Sequence, residues 1–169
     1  LDRWELGEGP GRDELLADVA ADLGFPLFVK PANMGSSIGV SRVTEAPQLS
    51  EAVDEALRFD DWLVFEEGIA GRELEIGVIG TIRPRTSVPG EIVPAAEFYD
   101  YDDKYRNGQA RLEIPASLPP GVAEQMSEIA LRTFRALRAD VLARVDFFYE
   151  DGRRGLLVNE LNSLPGCTP

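Results

Sequence analysis

The sequence contains no histidine and only one cysteine, Cys167. Without histidine, zinc sites built on imidazole and catalysis by Ser-His or Cys-His pairs are excluded. A lone cysteine cannot form an internal disulfide, which is typical of proteins from a reducing cytoplasm. Any acid–base or electrostatic chemistry must therefore rely on Asp, Glu, Lys, Arg and Tyr.

The chain is also short of basic residues and of long apolar runs. It has 17 Lys and Arg against 30 Asp and Glu, a formal net charge of -13. This balance argues against nucleic acid or an anionic membrane as a partner, because both attract basic surfaces. No apolar run approaches the roughly 20 residues of a membrane helix, and no signal peptide is evident. We therefore expect a cytoplasmic protein with small-molecule partners, and an anionic ligand would need a locally positive pocket.

The 169 residues, 44% of them hydrophobic, are enough for one domain or two small lobes. Apolar residues at helical spacing predict helices over residues 13–23, 47–57 and 119–138, the last with Pro119 in its first turn. Apolar runs and alternation predict strands over residues 26–30, 38–43, 62–65, 73–78, 91–97 and 111–114. Because helices and strands mix without a regular βαβ rhythm, the pattern indicates an α+β fold.

A predicted β-hairpin over residues 142–162 contains polar residues along both of its otherwise apolar strands. Side chains alternate along a strand, so Arg144 and Asp146 share a face of the first strand, and Glu160 and Asn162 share a face of the second. We expect the hairpin to put all four side chains on one side of the paired strands. Burying such groups among Val, Leu and Phe is costly unless they bind something. Carboxylate and amide oxygens suit Mg²⁺, so a metal–phosphate site is favoured over a surface ion-pair face.

A loop rich in Gly and Ser follows Lys30, in the order Gly35-Ser36-Ser37. Small residues let backbone amides approach an anion closely, the hydroxyls add donors, and the lysine adds charge. The loop lacks the Walker A spacing and does not open a helix. A phosphate-binding loop and a plain connection between strands therefore remain equally open at this point.

Two further segments have weaker signals. Residues 64–75 run from a strand into an acidic turn that could offer backbone groups to a purine and a carboxylate to a ribose. Taken alone, a solvated acidic turn is the favoured interpretation. Residues 98–105 combine four aromatic residues with Lys104. That segment is either a lid that places Lys104 on a phosphate or a loop pinned to the core by its aromatic rings.

Five segments in order resemble the D-alanine–D-alanine ligase family of ATP-grasp enzymes. They are LFVKPANMGSSIGVSRV, FEEGIAGRELEIGV, GEIVPAAEFYDYDDKY, LARVDFF and NELNSLPGCT. The resemblance implies an ATP-grasp fold in which two α+β lobes clasp ATP. The small lobe would span residues 1–63, and the C-terminal lobe, with the lid loop and the hairpin, residues 64–169.

The same resemblance implies roles for particular residues. ATP would be bound by Lys30, Gly35, Ser36, Ser37, Glu66, Glu67, Ile69, Glu73, Phe98 and Lys104. Two Mg²⁺ ions, with Mn²⁺ as an alternative, would be held by Asp146, Glu160 and Asn162. The catalytic set would be Arg144 and the Gly166 amide at the oxyanion, with Ser37 and Tyr105.

The activity implied is ATP-dependent joining of two D-alanines through an acyl phosphate, for peptidoglycan and hence for the cell wall and cell shape. The resemblance implies a homodimer for the full-length protein, since the family is usually dimeric. It also has an N-terminal domain and closing residues that would fall outside residues 1–169. The alternatives are a D-Ala–D-Lac or D-Ala–D-Ser ligase, another carboxylate–amine ligase, or an ATP-binding fragment without turnover. The tyrosine-type lid and the lack of histidine favour D-alanine as the second substrate.

Overall fold

The computed structural model describes residues 1–7, 10–93 and 111–165. Contacts divide the chain into two units, and the division falls between Ile69 and Ala70. Both units combine helices with antiparallel strands, which confirms the α+β class. The lobe boundary after residue 63 stays a prediction, although the strand Leu63–Glu67 pairs within the first unit.

The first unit is a three-stranded antiparallel sheet with two helices. Its elements are α1 (Pro10–Leu23), β1 (Leu27–Pro31), β2 (Ser41–Val43), a 3₁₀ turn (Ala46–Gln48), α2 (Leu49–Ala56) and β3 (Leu63–Glu67). The strand order is β2-β1-β3. Alternation along β1 sends every second side chain inward, and the core gathers Leu16, Leu27, Val29, Val43, Val53 and Ala56.

The loop after β1 differs from the prediction of a strand over residues 38–43, because β2 begins only at Ser41. Ser36 and Ser37 have φ values of 56° and 58°, in the left-handed region. The Ile38 N–H donates to the Gly35 carbonyl at 3.2 Å. These residues therefore form a tight turn, and the chain becomes extended only after it.

The second unit is built on a larger antiparallel sheet. Its elements are β4 (Arg72–Ile79), β5 (Arg85–Thr86), β6 (Gly90–Val93), β7 (Arg111–Glu113), α3 (Val122–Ala136), β8 (Leu142–Glu150) and β9 (Gly155–Asn162). The order is β7-β6-β4-β8-β9, and β5 pairs with β4. The predicted hairpin is confirmed as β8 and β9. The short strand β5 was not predicted, because two residues carry too little pattern.

One face of this sheet is covered by α3. The helix buries Met126, Ala130 and Phe134, four residues apart and so on one side. They join a core that includes Leu74, Ile76, Val78, Val145 and Phe147. Side chains that alternate with these along β4 and β8 must point to the other face, where the polar residues lie.

The start of α3 differs from the prediction, because the helix begins at Val122 rather than at Pro119. Gly121 has φ 86°, a left-handed conformation that a helix cannot include. The helix ends at Ala136, and Arg138 beyond it has φ 54°. In the described part of the chain, no helix is both long and apolar enough to cross a bilayer.

Candidate functional site: a polar sheet face and a lysine-bearing strand

Strand register brings the polar residues of the hairpin together. Arg144 lies opposite Asn162, and Asp146 lies opposite Glu160. On the other side of β8, Glu75 of β4 lies opposite Asp146. Directly paired residues share a face, so all five project from the face opposite α3. The prediction that the four hairpin residues lie on one side is confirmed, and Glu75 is added to them.

Hydrogen bonds centre this group on Asp146. Arg144 Nε donates to Asp146 Oδ1 at 2.6 Å, and Arg144 Nη2 donates to Oδ2 at 2.7 Å. Asn162 Nδ2 donates to Asp146 Oδ2 at 2.9 Å and to Glu160 Oε1 at 3.2 Å. The two parallel bonds from the guanidinium form the fork that gives charge-assisted pairs their strength. We call these four residues and Glu75 the hairpin cluster.

Glu75 completes the charge around Arg144. Its Oε2 lies 3.3 Å from Arg144 Nε, and its side chain is only 21% exposed. Burial is the main cause that raises the pKa of Glu75; the Arg144 charge opposes it, and the Asp146 charge adds to it. Glu75 is not among the site residues predicted from the sequence. Its outward direction could be read from the alternation of β4, but the pairing of β4 with β8 could not.

Excess negative charge characterises the cluster, since three carboxylates surround one guanidinium. The pKa of Arg144 is raised far above its ordinary value, first by the hydrogen bonds to Asp146 and further by the negative charges of Asp146, Glu75 and Glu160. Desolvation opposes this shift and is outweighed. Arg144 therefore stays cationic, and the cluster has room electrostatically for a further positive charge.

The donor set fits Mg²⁺ by its chemistry. Asp146, Glu160 and Asn162 offer oxygen atoms from adjacent positions on two paired strands. Asn162 here presents its amide nitrogen to the carboxylates, so its oxygen would face a cation after the amide turns over. Within the described ranges no three Asp, Glu, His or Cys side chains form a metal-binding group. A site with only two carboxylates leaves coordination positions of Mg²⁺ free for water and substrate phosphates, which is how proteins commonly bind this ion.

A cleft adjoins the cluster on the β4 side. Its volume is about 280 Å³, and it is lined by Glu75, Gly77, Ser87, Val88, Gly90, Ile114, Leu142, Ala143, Arg144 and Pro165. Arg144 and Glu75 thus belong both to the hairpin cluster and to the wall of the cleft. A ligand in the cleft would meet a guanidinium that is held in place by carboxylates.

In the first unit, the predicted phosphate and adenine residues come together. Lys30 Nζ lies 2.6 Å from Glu66 Oε1, and the two side chains are 23% and 35% exposed. Phe28 is the direct partner of Glu66 in the β1–β3 register, so Lys30 and Glu66 are diagonal neighbours on one face. The lysine is therefore paired with Glu66 across the two strands.

The Gly35-Ser36-Ser37 turn is followed by a tightly packed glycine. A Cβ on Gly39 would lie 2.6 Å from Phe59 Cδ2, and the residue has φ 71°. Both facts require glycine there, because a side chain would collide and the conformation is left-handed. The end of the turn is thus fixed to the body of the first unit, while Ser36 is exposed.

The other predicted site residues are distributed as follows. Glu67 ends β3, and Ile69 closes the first unit. Glu73 belongs to the second unit and lies opposite Phe148 on the outer face of the sheet. Phe98, Lys104, Tyr105 and Gly166 lie outside the described residues.

A lysine-bearing strand with a Gly/Ser turn in one α+β unit, and an Arg-Asp/Glu-Asn hairpin in a second, define the ATP-grasp fold class. The family model described as "D-ala D-ala ligase C-terminus" matches residues 7–169. The chain therefore belongs to the D-alanine–D-alanine ligase family.

Two relatives and two solved structures illustrate the similarity. The protein named D-alanine--D-alanine ligase of Chlorobaculum tepidum is 44% identical over 155 residues, 92% of this chain and 43% of the relative. The one of Heliobacterium modesticaldum is 46% identical over 166 residues, 98% and 44%. The VanG D-Ala:D-Ser ligase of Enterococcus faecalis aligns with a TM-score of 0.83 at 29% identity, over 98% of this chain and 46% of that one. D-alanyl-alanine synthetase A of Vibrio cholerae aligns with a TM-score of 0.81 at 32% identity, over 96% and 50%. The chain spans less than half the length of these curated relatives.

Proposed function

We propose that the protein containing this chain is an ATP-dependent carbon–nitrogen ligase that joins two D-alanines. The observation that carries the proposal is the hairpin cluster, in which Arg144, Asp146, Glu160 and Asn162 form one hydrogen-bonded group. Family membership supplies the substrate class. The dipeptide would serve peptidoglycan synthesis in the cytoplasm, and the whole protein would be a homodimer.

ATP would be bound by the residues that the family resemblance assigns to it. Lys30 would contact the phosphates once it leaves Glu66, and the Gly35-Ser36-Ser37 turn would cover them. The remaining contacts would involve the adenine, the ribose and the terminal phosphate. They would come from Glu66, Glu67, Ile69, Glu73, Phe98 and Lys104.

Asp146, Glu160 and Asn162 would hold two Mg²⁺ ions, with Mn²⁺ as an alternative. The bound cation would neutralise charge on the transferred phosphoryl group. Because these three side chains supply few ligands, phosphate oxygens and water would complete the coordination of the cation. Nucleotide and cation affinity should therefore depend on each other.

The reaction needs no protein nucleophile, since positioning and charge neutralisation carry phosphoryl transfer. A carboxylate oxygen of the first D-alanine attacks the γ-phosphorus of ATP, and ADP leaves with the electrons of the broken P–O bond. The amine of the second D-alanine then attacks the acyl carbon, loses a proton, and expels phosphate. Arg144 and the Gly166 N–H would stabilise the oxyanion, with Ser37 and Tyr105 beside the reacting groups.

Phosphate release by the intact gene product tests the proposal. With ATP and Mg²⁺, release should require D-alanine, and the product should be D-alanyl-D-alanine by mass spectrometry. D-serine and D-lactate are offered as second substrates in parallel, and D-serine is the second candidate because of the similarity to the D-Ala:D-Ser ligase. Turnover only with an unrelated carboxylate would refute the substrate assignment. ATP binding without any turnover would favour a nucleotide-binding module.

A further inference from the structure

Arg144 lies between two carboxylates that belong to different strands. Asp146 on its own strand binds it at 2.6 and 2.7 Å, and Glu75 on β4 lies 3.3 Å from its Nε. The sheet order places β8 between β4 and β9. Glu75 is therefore on the side of the cleft, whereas the candidate cation ligands Glu160 and Asn162 are on the opposite side of Arg144.

Asp146 has two roles that conflict. Both of its oxygens accept hydrogen bonds from the Arg144 guanidinium. The same oxygens would ligate a cation, and two positive charges on one carboxylate repel each other. When Asp146 turns to a cation, Arg144 loses part of its counter-charge and needs another acceptor to keep its direction.

We propose that Glu75 is a positioning residue that holds Arg144 against the cleft when Asp146 and Glu160 bind a cation. Glu75 is close enough to accept from Arg144 Nε after a small side-chain movement, and it lines the cleft together with Arg144. The inference rests on the proposed function, because it assigns Arg144 to the reacting carbonyl. In this proposal Glu75 controls the direction of the Arg144 side chain and does not ligate the cation.

The first test compares kinetics of the intact gene product carrying E75Q, E75D or E113Q. E75Q keeps the shape and removes the charge. We expect its kcat to fall by about ten-fold or more, as for groups that orient a functional residue, with little change in KM for ATP. E75D, which keeps the charge, should recover part of the loss. E113Q is the matched control, since Glu113 pairs with Arg111 in the same sheet outside the cluster.

The second test observes Arg144 directly and does not require turnover. The Nε–Hε signal of Arg144 in ¹⁵N-labelled protein, assigned with R144K, is followed as Mg²⁺ and a non-hydrolysable ATP analogue are added. In the wild type the signal should shift and stay protected from exchange. In E75Q it should be protected from exchange before the addition, as in the wild type, because Asp146 still binds Arg144, and it should lose its protection afterwards.

The two tests separate the inference from the proposed function. If the wild type does not turn over D-alanine, the proposed function fails, while the Arg144 signal still tests Glu75. Equal protection in E75Q and the wild type after the addition would overturn the role of Glu75. So would a wild-type signal that does not respond to the Mg²⁺–nucleotide, because Asp146 would then never release Arg144.

Discussion

The substitution Asp146→Asn distinguishes two possible roles of the hairpin cluster, a structural ion pair and a cation-binding site. The substitution keeps the shape of the side chain and one acceptor oxygen for Arg144. It removes the negative charge and the second oxygen of the fork, where Nε and Nη2 bind at 2.6 and 2.7 Å. If the cluster exists for stability, the folded state should suffer most. If it exists for a cation, affinity should suffer most.

The expected stability loss is small. A charge pair at about 4 Å with an effective dielectric constant of about 20 has a gross attraction of about 4 kcal/mol. The side chains of Arg144 and Asp146 remain 30% and 17% exposed, which weakens this attraction. Glu75 stays as a counter-ion, and the repulsion of Asp146 by the other carboxylates disappears. We therefore expect a net loss of about 1 kcal/mol in the free energy of unfolding.

Cation affinity should change much more. Asp146 is one of two carboxylates in the candidate ligand set. Removing a direct ligand lowers cation affinity more than removing a residue that only hydrogen-bonds to a ligand. The effect of the latter is about 10- to 100-fold, so the affinity for Mn²⁺ or Mg²⁺ with nucleotide should fall by about 100-fold or more. Titration calorimetry on the intact gene product measures this change, and urea unfolding measures stability.

Glu150→Gln is the matched control on the same strand. Glu150 is almost fully buried and accepts hydrogen bonds from Arg153 at 3.3 Å and from Arg154 at 2.5 Å, outside the cluster. It should lower the free energy of unfolding and leave cation affinity unchanged. The reasoning is refuted if Asp146→Asn instead costs about 3 kcal/mol or more, the range of a broken structural pair, and keeps its cation affinity.

Three further predictions concern other parts of the chain. Lys30→Met should weaken ATP binding by about ten-fold or more in calorimetry, because the charged contact between Lys30 and a phosphate of ATP is lost. An unchanged affinity would show that Lys30 does not bind ATP. The pKa values of Glu91 and Glu150 are lowered from the ordinary range of glutamate, mainly because arginines donate hydrogen bonds to them. The stability they contribute is therefore present above about pH 4.5 and should be lost as the pH falls below it, and the E91Q/E150Q double variant should show a flatter urea midpoint across this range. Gly68→Ala would place a Cβ 2.5 Å from a backbone oxygen and should destabilise the first unit by about 1–3 kcal/mol, whereas Gly11→Ala, with open space around it, should not destabilise it.

The hairpin could be predicted because its information is local. Its two strands are adjacent in sequence, so alternation along each strand and one turn decide which side chains share a face. Glu75 could not be placed in the same way. The alternation along β4 shows that Glu75 points outward. Its contact with Arg144, however, depends on β4 pairing with β8, which is distant in sequence. The hydrophobic pattern would be satisfied equally well if β4 had a different neighbour in the sheet.

Two other differences have local physical causes that the residue types conceal. Ser36 and Ser37 adopt φ values that serine rarely takes, so a strand was predicted too early in the chain. Lys30 and Glu66 were assigned to different parts of a nucleotide, yet they form an ion pair across β1 and β3. Both cases arise where the strands meet the proposed ligand, which is where local preference is most often overridden.

The polar face of the second unit is maintained by its apolar face. Three carboxylates around one guanidinium repel each other, and the pKa of Glu75 is raised, first by burial and further by the charge of Asp146. The opposite face of the same strands packs against Met126 and Phe134 of α3, which are almost fully buried. Each such side chain contributes about 1.5–3 kcal/mol by leaving water, which favours the folded arrangement that holds the cluster together. Substitutions in α3 that leave the sheet intact should therefore lower stability without moving Arg144, whereas substitutions in the cluster should change the contacts of Arg144 at a small cost in stability.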